Sequence, residues 1–262
     1  MDSKSKYSPF FEFEKKVNKN QKGITTEAYN KLKEFTKSHK HISLIQIKSF
    51  LSDSGFSYSG ETIQKYIQQL KKEKIIYSAG RGYYSNIKNE FVVNYEDYQS
   101  LIIQIKGKYP RLTFSLWSTK MLAPVFHHLQ NSFYTFIYAD SDTLIFLRDF
   151  LLDNNHKVYL NPGKSELDKN VILQNNSIIL RPKITRSKKE NNISSIENIL
   201  VDFYSENKKL KIVDISEYIK LFGNVINNHR IKISSILDYA ERRKIDNLFK
   251  EFIIKYTNAT FL

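Results

Sequence analysis

Between Thr26 and Ser85 a helical apolar period recurs three times in quick succession, then gives way to two short β-prone runs around a glycine-rich turn. That order restricts the fold more than any other feature of the chain. Ala28, Leu32 and Phe35 stand at i, i+4 and i+7, one face of a first helix capped by Thr25 or Thr26. Leu44, Ile47 and Leu51 predict a second helix from about Ser43 to Ser52, stopped by Asp53-Ser54-Gly55 with the glycine as C-cap. In the third, Ser59 is the expected N-cap, Glu61 suits the positive first turn, and Ile63, Tyr66, Ile67 and Leu70 form the apolar stripe. The runs Ile75 to Ser78 and Tyr83 to Ser85 flank Ala79-Gly80-Arg81-Gly82, which predicts a hairpin. Helix, helix, turn, helix and hairpin, joined by short connections, predict a winged helix-turn-helix over residues 23–88.

On either side the pattern changes. Residues 1–22 are polar and lysine-rich, with Phe10, Phe11 and Phe13 as the apolar cluster and no lasting period, which predicts a flexible arm. Residues 89–262 alternate in type: a helix from Tyr95 to Gly107, a strand Leu112 to Leu116, a helix Ser118 to His128, a strand Phe133 to Ala139, a helix Asp142 to Asp153, and strands Val158 to Leu160 and Ser177 to Leu180. The polar stretch Ser187 to Asn192 reads as a loop or partial linker. A helical tail follows: Ser194 or Ser195 caps a helix carrying Ile196, Ile199, Leu200 and Phe203, and two more helices run from Val213 to Ile226 and from Ser234 to Tyr256. The expected class is α+β: a winged helix, then an α/β domain with an all-helical tail. Asn86 to Asn89 is the polar junction, where few contacts should cross.

Charge points to a polyanionic partner. The chain carries a formal net charge of +14, and residues 1–88 hold 17 Lys/Arg against 8 Asp/Glu. Such a field attracts nucleic acid or an acidic membrane face. No apolar run reaches the roughly 18 residues of a membrane span and the first residues lack a signal peptide's apolar stretch, so no membrane partner is expected. The absence of cysteine excludes disulfide frameworks and thiolate zinc modules, and fits a reducing cytoplasm. On the third helix, Lys65, Gln68 and Lys72, with Glu61, lie opposite the apolar stripe and Thr62 and Gln69 at its margins. Lysine and glutamine on a helix face can read base edges in the major groove of double-stranded DNA. Ser59, Thr62 and the backbone N–H groups at the helix start would hold phosphates, and Arg81 would enter a minor groove or pair with phosphate from the hairpin. The competing account is a plain solvated face.

The signs of catalysis are incomplete. Asp140-Ser141-Asp142 ends a predicted strand, where Mg²⁺-dependent nucleases and nucleotidyltransferases place ligands, but the lysine at Lys157 lacks its alternating acid and no Gly-Ser turn lies upstream. Asp140 or Asp142 is expected to cap the next helix instead. His127 and His128, placed on a helix, would point their rings about 100° apart, unlike a zinc-binding i, i+4 pair. No catalytic residue, metal site or cofactor is therefore expected, and the chain reads as a non-enzyme.

Two stretches of the tail carry a resemblance. Ser195-Ile196-Glu197-Asn198-Ile199-Leu200-Val201-Asp202-Phe203-Tyr204 and Ile236-Leu237-Asp238-Tyr239-Ala240-Glu241-Arg242-Arg243-Lys244 resemble the tail of AbiEi-type antitoxins of type IV toxin–antitoxin systems. Leu116-Trp117-Ser118-Thr119 and Tyr159-Leu160-Asn161-Pro162 are similar to the middle of a related branch, so the likeness runs from about Thr26 to Phe249. The resemblance implies a phage-defence repressor whose winged helix binds promoter repeats. It also implies a C-terminal domain that counteracts a partner nucleotidyltransferase toxin, with Glu197, Asp202, Tyr239, Arg242 and Arg243 in the matching helices. The same residues could instead form a structural ion-pair cluster. The alternatives are a metal-dependent nuclease or nucleotidyltransferase using Asp140 and Asp142, or a lone winged-helix regulator.

Overall fold

The computed structural model describes residues 26–163, 173–184 and 189–257. The arm expected at 1–22 and the Thr25 cap lie outside them. The chain is α+β, with helices around two sheets.

The first unit follows from its apolar spacing. Residues 26–38 form helix α1, and Ala28 and Leu32 are fully buried. After it come β1 (His41–Ser43), α2 (Leu44–Asp53), α3 (Gly60–Lys72), β2 (Tyr77–Ser78) and β3 (Tyr83–Ser85). Ser43 ends β1 and caps α2 with a full capping box: its side chain accepts from the Gln46 N–H, while its own N–H donates to Gln46 Oε1. Gly55, at φ +82°, lies just beyond the Ser54 C-cap. The three strands form an antiparallel sheet in the order β1-β3-β2. β1 was not expected, because three residues running straight into a helix show no alternation; pairing with β3 alone makes them a strand. Ile47, Leu51, Ile63, Ile67, Leu70 and Tyr84 close the core between helices and sheet.

The second unit is built on a six-stranded mixed sheet in the order β6-β7-β5-β4-β9-β8. Its elements are α4 (Gln99–Lys108), β4 (Ser115–Ser118), β5 (Tyr134–Ala139), α5 (Leu144–Asp153), β6 (Val158–Leu160), β7 (Ser177–Pro182), β8 (Lys189–Glu190) and β9 (Ile193–Ser194). Helices α6 (Ile196–Leu210), α7 (Ile215–Asn228), α8 (Ile233–Arg242) and α9 (Asp246–Thr257) complete it. The helices do not stand apart as a tail. Residues from Ile105 to Ile253 share one core, and α6 is buried from Ile196 through Phe203.

Four expectations change. The helix expected at Ser118 to His128 is a 3-10 turn at Thr119–Val125, because Pro124 supplies no N–H and the chain turns extended at Phe126. The strand expected at Leu112 to Leu116 starts three residues later and runs from Ser115 to Ser118, since the Leu112 N–H closes a turn onto Tyr109 O. The stretch read as a linker contributes β8 and a turn at Asn191 and Asn192, both at positive φ, to the sheet edge. The helix expected from Ser234 to Tyr256 is two helices, broken where Lys244 takes φ 59°.

The junction also differs from expectation. His41, fully buried, bonds through Nε2 to Ile226 O at 2.8 Å. The Ile233 N–H donates to Ala79 O at 2.8 Å and the Arg230 N–H to Asn89 O at 2.7 Å. Arg230 pairs with Glu90 at 2.6 Å and lies 4.9 Å from the centre of the Tyr77 ring. The hairpin and β1 thus lean on α7 and α8, so contacts do cross the Asn86 to Asn89 junction.

Candidate nucleic-acid interface

Helix α3 divides cleanly into two faces. Ile63, Tyr66, Ile67 and Leu70 are buried, whereas Glu61, Lys65, Gln68 and Lys72 are exposed together on the far side. Ser59 is the N-cap, with the Thr62 N–H on its Oγ at 3.3 Å and Thr62 Oγ1 at 3.2 Å. Both hydroxyls stand at the helix start, where N–H groups and the dipole favour an anion. Gln69 is engaged elsewhere: it donates to Glu73 Oε1 at 3.1 Å. Glu73 also accepts from Lys33 at 2.7 Å and Tyr29 at 2.8 Å, and these bonds, Lys33's foremost, hold its carboxyl below the ordinary carboxylate range. Lys65, Gln68 and Lys72 remain exposed on that face.

Arg81 stands at the hairpin tip between Gly80 and Gly82, at φ +101° and +77°. Its side chain is exposed, but its N–H donates to Ser234 Oγ at 2.9 Å. The tip is therefore packed on the start of α8, with the Arg81 side chain exposed.

The five residues of the tail separate in the structure. Asp202, Tyr239 and Arg243 form a buried cluster in which Arg243 and the Tyr239 hydroxyl, at 2.9 Å, both bind the Asp202 carboxylate. One turn on, Glu206 accepts from Arg181 Nε at 2.8 Å and from the Tyr138 hydroxyl at 3.1 Å. Arg181 also donates through Nη1 to Asn161 Oδ1 at 3.0 Å and Pro162 O at 2.8 Å. The Arg243 guanidinium lies 5.3 Å from the Tyr138 ring centre and 5.5 Å from that of Tyr239. Burial pushes the Tyr138 and Tyr239 phenols up, so both remain protonated donors. Two cations, two anions and two phenols thus tie the sheet to α6 and α8, the geometry in which a buried pair is held by surrounding hydrogen bonds. Sequence reasoning missed Glu206, Arg181 and Tyr138. The legible signals were an acid one turn after Asp202 on an apolar helix and an arginine ending an apolar strand.

Glu197 and Arg242 stand outside that cluster. Glu197 is buried at the start of α6 and accepts the Lys232 N–H at 2.9 Å. It also lines a cavity of about 470 Å³ between the two units, with Phe91, Ser194 and Arg230. Arg242 is exposed, its guanidinium 5.7 Å from the Tyr239 ring centre.

The acid pair does not cap. Asp140 precedes a 3-10 turn without a side-chain cap bond, and its carboxylate instead pairs with Lys183 at 2.9 Å and accepts from Thr113 at 3.5 Å. Asp142 is exposed in that turn, and Thr143 rather than Asp142 stands at the N-cap of α5. His127 and His128 lie beyond the 3-10 turn rather than on a helix, and their ring centres come within 4.4 Å of each other.

No helix among the described residues is long and apolar enough to cross a membrane. No curated protein matches the chain significantly. A family model matches residues 62–259, from the first turn of α3 past the end of α9, and the chain therefore belongs to the family of unknown function DUF6577.

Proposed function

We propose that the first unit is a winged helix that binds double-stranded DNA through α3, and that the protein is a cytoplasmic, non-catalytic transcriptional repressor. The observation that carries this reading is the exposed row Lys65, Gln68 and Lys72 opposite a fully buried stripe. The helix order and the β1-β3-β2 sheet support it, because together they leave the outer face of α3 uncovered. Lys65 and Gln68 would read base edges in promoter repeats, Lys72 and the hydroxyls of Ser59 and Thr62 would hold phosphates, and Arg81 would meet a backbone phosphate from the side. The test is titration of promoter DNA from the protein's own operon at several salt concentrations. Affinity should fall steeply with salt. Lys65→Ala should cost about 1–3 kcal/mol and relax base preference, and Lys72→Ala should weaken all sequences alike. Unchanged binding in both variants would remove α3 from the interface.

The resemblance of the tail extends the proposal to an antitoxin that counteracts a nucleotidyltransferase toxin. Among the five residues it implicates, exposed Arg242 is the one able to meet a partner, while Asp202, Tyr239 and Arg243 would act by holding α6 and α8 together. Co-expression of the full chain with a neighbouring nucleotidyltransferase tests this: Arg242→Ala should repress normally and fail to protect. Absence of rescue by the full chain would leave a stand-alone regulator.

A further inference from the structure

The segment after the 3-10 turn at Thr119–Val125 meets the start of α7 in a way no sequence motif announces. Glu217, in the first turn of α7, is buried, and its Oε1 accepts the N–H groups of His127 at 2.8 Å and His128 at 3.1 Å. These two bonds fix the carboxylate beside the histidine pair and leave Oε2 turned to the rings, 3.8 Å from His128 Nε2. His127 Nδ1 stands 3.1 Å from His128 Nε2. Each of the three side chains offers one ligand atom, and these atoms all lie within 4.8 Å of one another. Both imidazoles are exposed, and His128 and Glu217 open onto a cavity of about 330 Å³ that gives solvent access.

We propose that His127 Nδ1, His128 Nε2 and the Glu217 carboxylate form a binding site for a divalent transition ion of the zinc class. Zinc–nitrogen bonds of about 2.0–2.1 Å in a tetrahedron place two ligand nitrogens about 3.3 Å apart, close to the separation seen here. Two imidazoles and a carboxylate suit zinc, cobalt, nickel or copper, whereas magnesium and calcium favour all-oxygen sets. Solvent fills the remaining position. The carboxylate is already oriented by backbone bonds, the kind of support that raises ligand affinity, and an exposed His127 ring can swing the last fraction of the way. The bound ion would pin the segment after Val125 to the start of α7, two pieces of chain far apart in sequence, and would raise stability with the logarithm of its concentration above the dissociation constant. In the absence of metal, one imidazole donating to the other accounts for the ring geometry.

Titration of the full chain with zinc or cobalt, followed by calorimetry and, for cobalt, by the visible absorption of a tetrahedral ion, tests the site. One equivalent should bind and should raise the melting temperature. His127→Ala, His128→Ala and Glu217→Gln should each weaken binding by about tenfold or more. The glutamine retains an oxygen for the two backbone N–H groups, and unchanged circular dichroism would verify that its fold survives. His39→Ala, on the opposite unit, should leave binding unaltered. Failure of the wild-type chain to take up one equivalent, or equal uptake by His127→Ala/His128→Ala, would reduce the cluster to a hydrogen-bonded pair and overturn the proposal.

Discussion

Replacing Gly80 by alanine probes the contact between the hairpin and α8. Gly80 adopts φ +101°, a region that L side chains rarely enter, and an added Cβ would stand 2.3 Å from Ser234 Oγ and 3.1 Å from both Ser234 Cβ and its backbone N. The backbone strain costs about 1–2 kcal/mol. The overlap forces Ser234 or the hairpin aside, which costs a further 1–3 kcal/mol or so. Turning the Ser234 hydroxyl away also strands the Arg81 N–H, whose bond to it is 2.9 Å long, at about 1 kcal/mol. Gly80→Ala should therefore destabilise by about 3–6 kcal/mol, a large share of a typical 5–15 kcal/mol or so. Urea unfolding followed by far-ultraviolet circular dichroism and by fluorescence of Trp117, the chain's one tryptophan and a buried residue of the larger core, reads the loss and shows whether the units part before they melt. Ser234→Ala alone should cost about 1 kcal/mol. In the Gly80→Ala background it removes the worst overlap, so the double variant should be more stable than the sum of the singles. A Gly80→Ala protein within about 0.5 kcal/mol of wild type, or strictly additive variants, would refute the docking of the tip on Ser234.

Arg243→Ala leaves the Asp202 carboxylate buried without its cation and should lose about 3–5 kcal/mol, whereas exposed Arg242→Ala should stay within about 0.5 kcal/mol; chemical denaturation separates the two. Burial holds the His41 imidazole below its ordinary 6.5, against the opposing bond to Ile226 O, so the folded chain favours the neutral ring. Its contribution to stability is complete above the unfolded value near 6.5 and is lost as pH falls from there toward the lower folded value, and His41→Gln should flatten that part of the stability profile. Ser43→Ala removes the side-chain half of the α2 capping box and should cost about 1 kcal/mol, measured by the same unfolding curves.

Where structure depends on neighbours close in sequence, the residues were legible. Helices α2, α3 and α6, their Ser43, Ser59 and Ser195 starts, and the Gly80 and Gly82 turn all follow from apolar period, capping hydroxyls and positive φ. The two-faced character of α3 was equally visible, since Lys65, Gln68 and Lys72 can only fall opposite Ile63 and Ile67 once a helix forms. Tertiary structure decided what depended on distant partners. β1 exists through pairing with β3, Asp140 turns to Lys183 rather than to its own helix, and the hairpin tip rests on Ser234, 153 residues away from Arg81. Arg181, the Asp202 and Glu206 pair of α6, and Arg243 come from three separate stretches, and their burial together is settled by packing that no local period encodes. His127 and His128 show the same division. Read as helical neighbours their rings diverge, but Pro124 ends the turn before them, and the Glu217 carboxylate gathers their backbone so that the rings meet. Local periodicity fixes which side chains share a face; long-range burial and hydrogen bonding fix which faces meet.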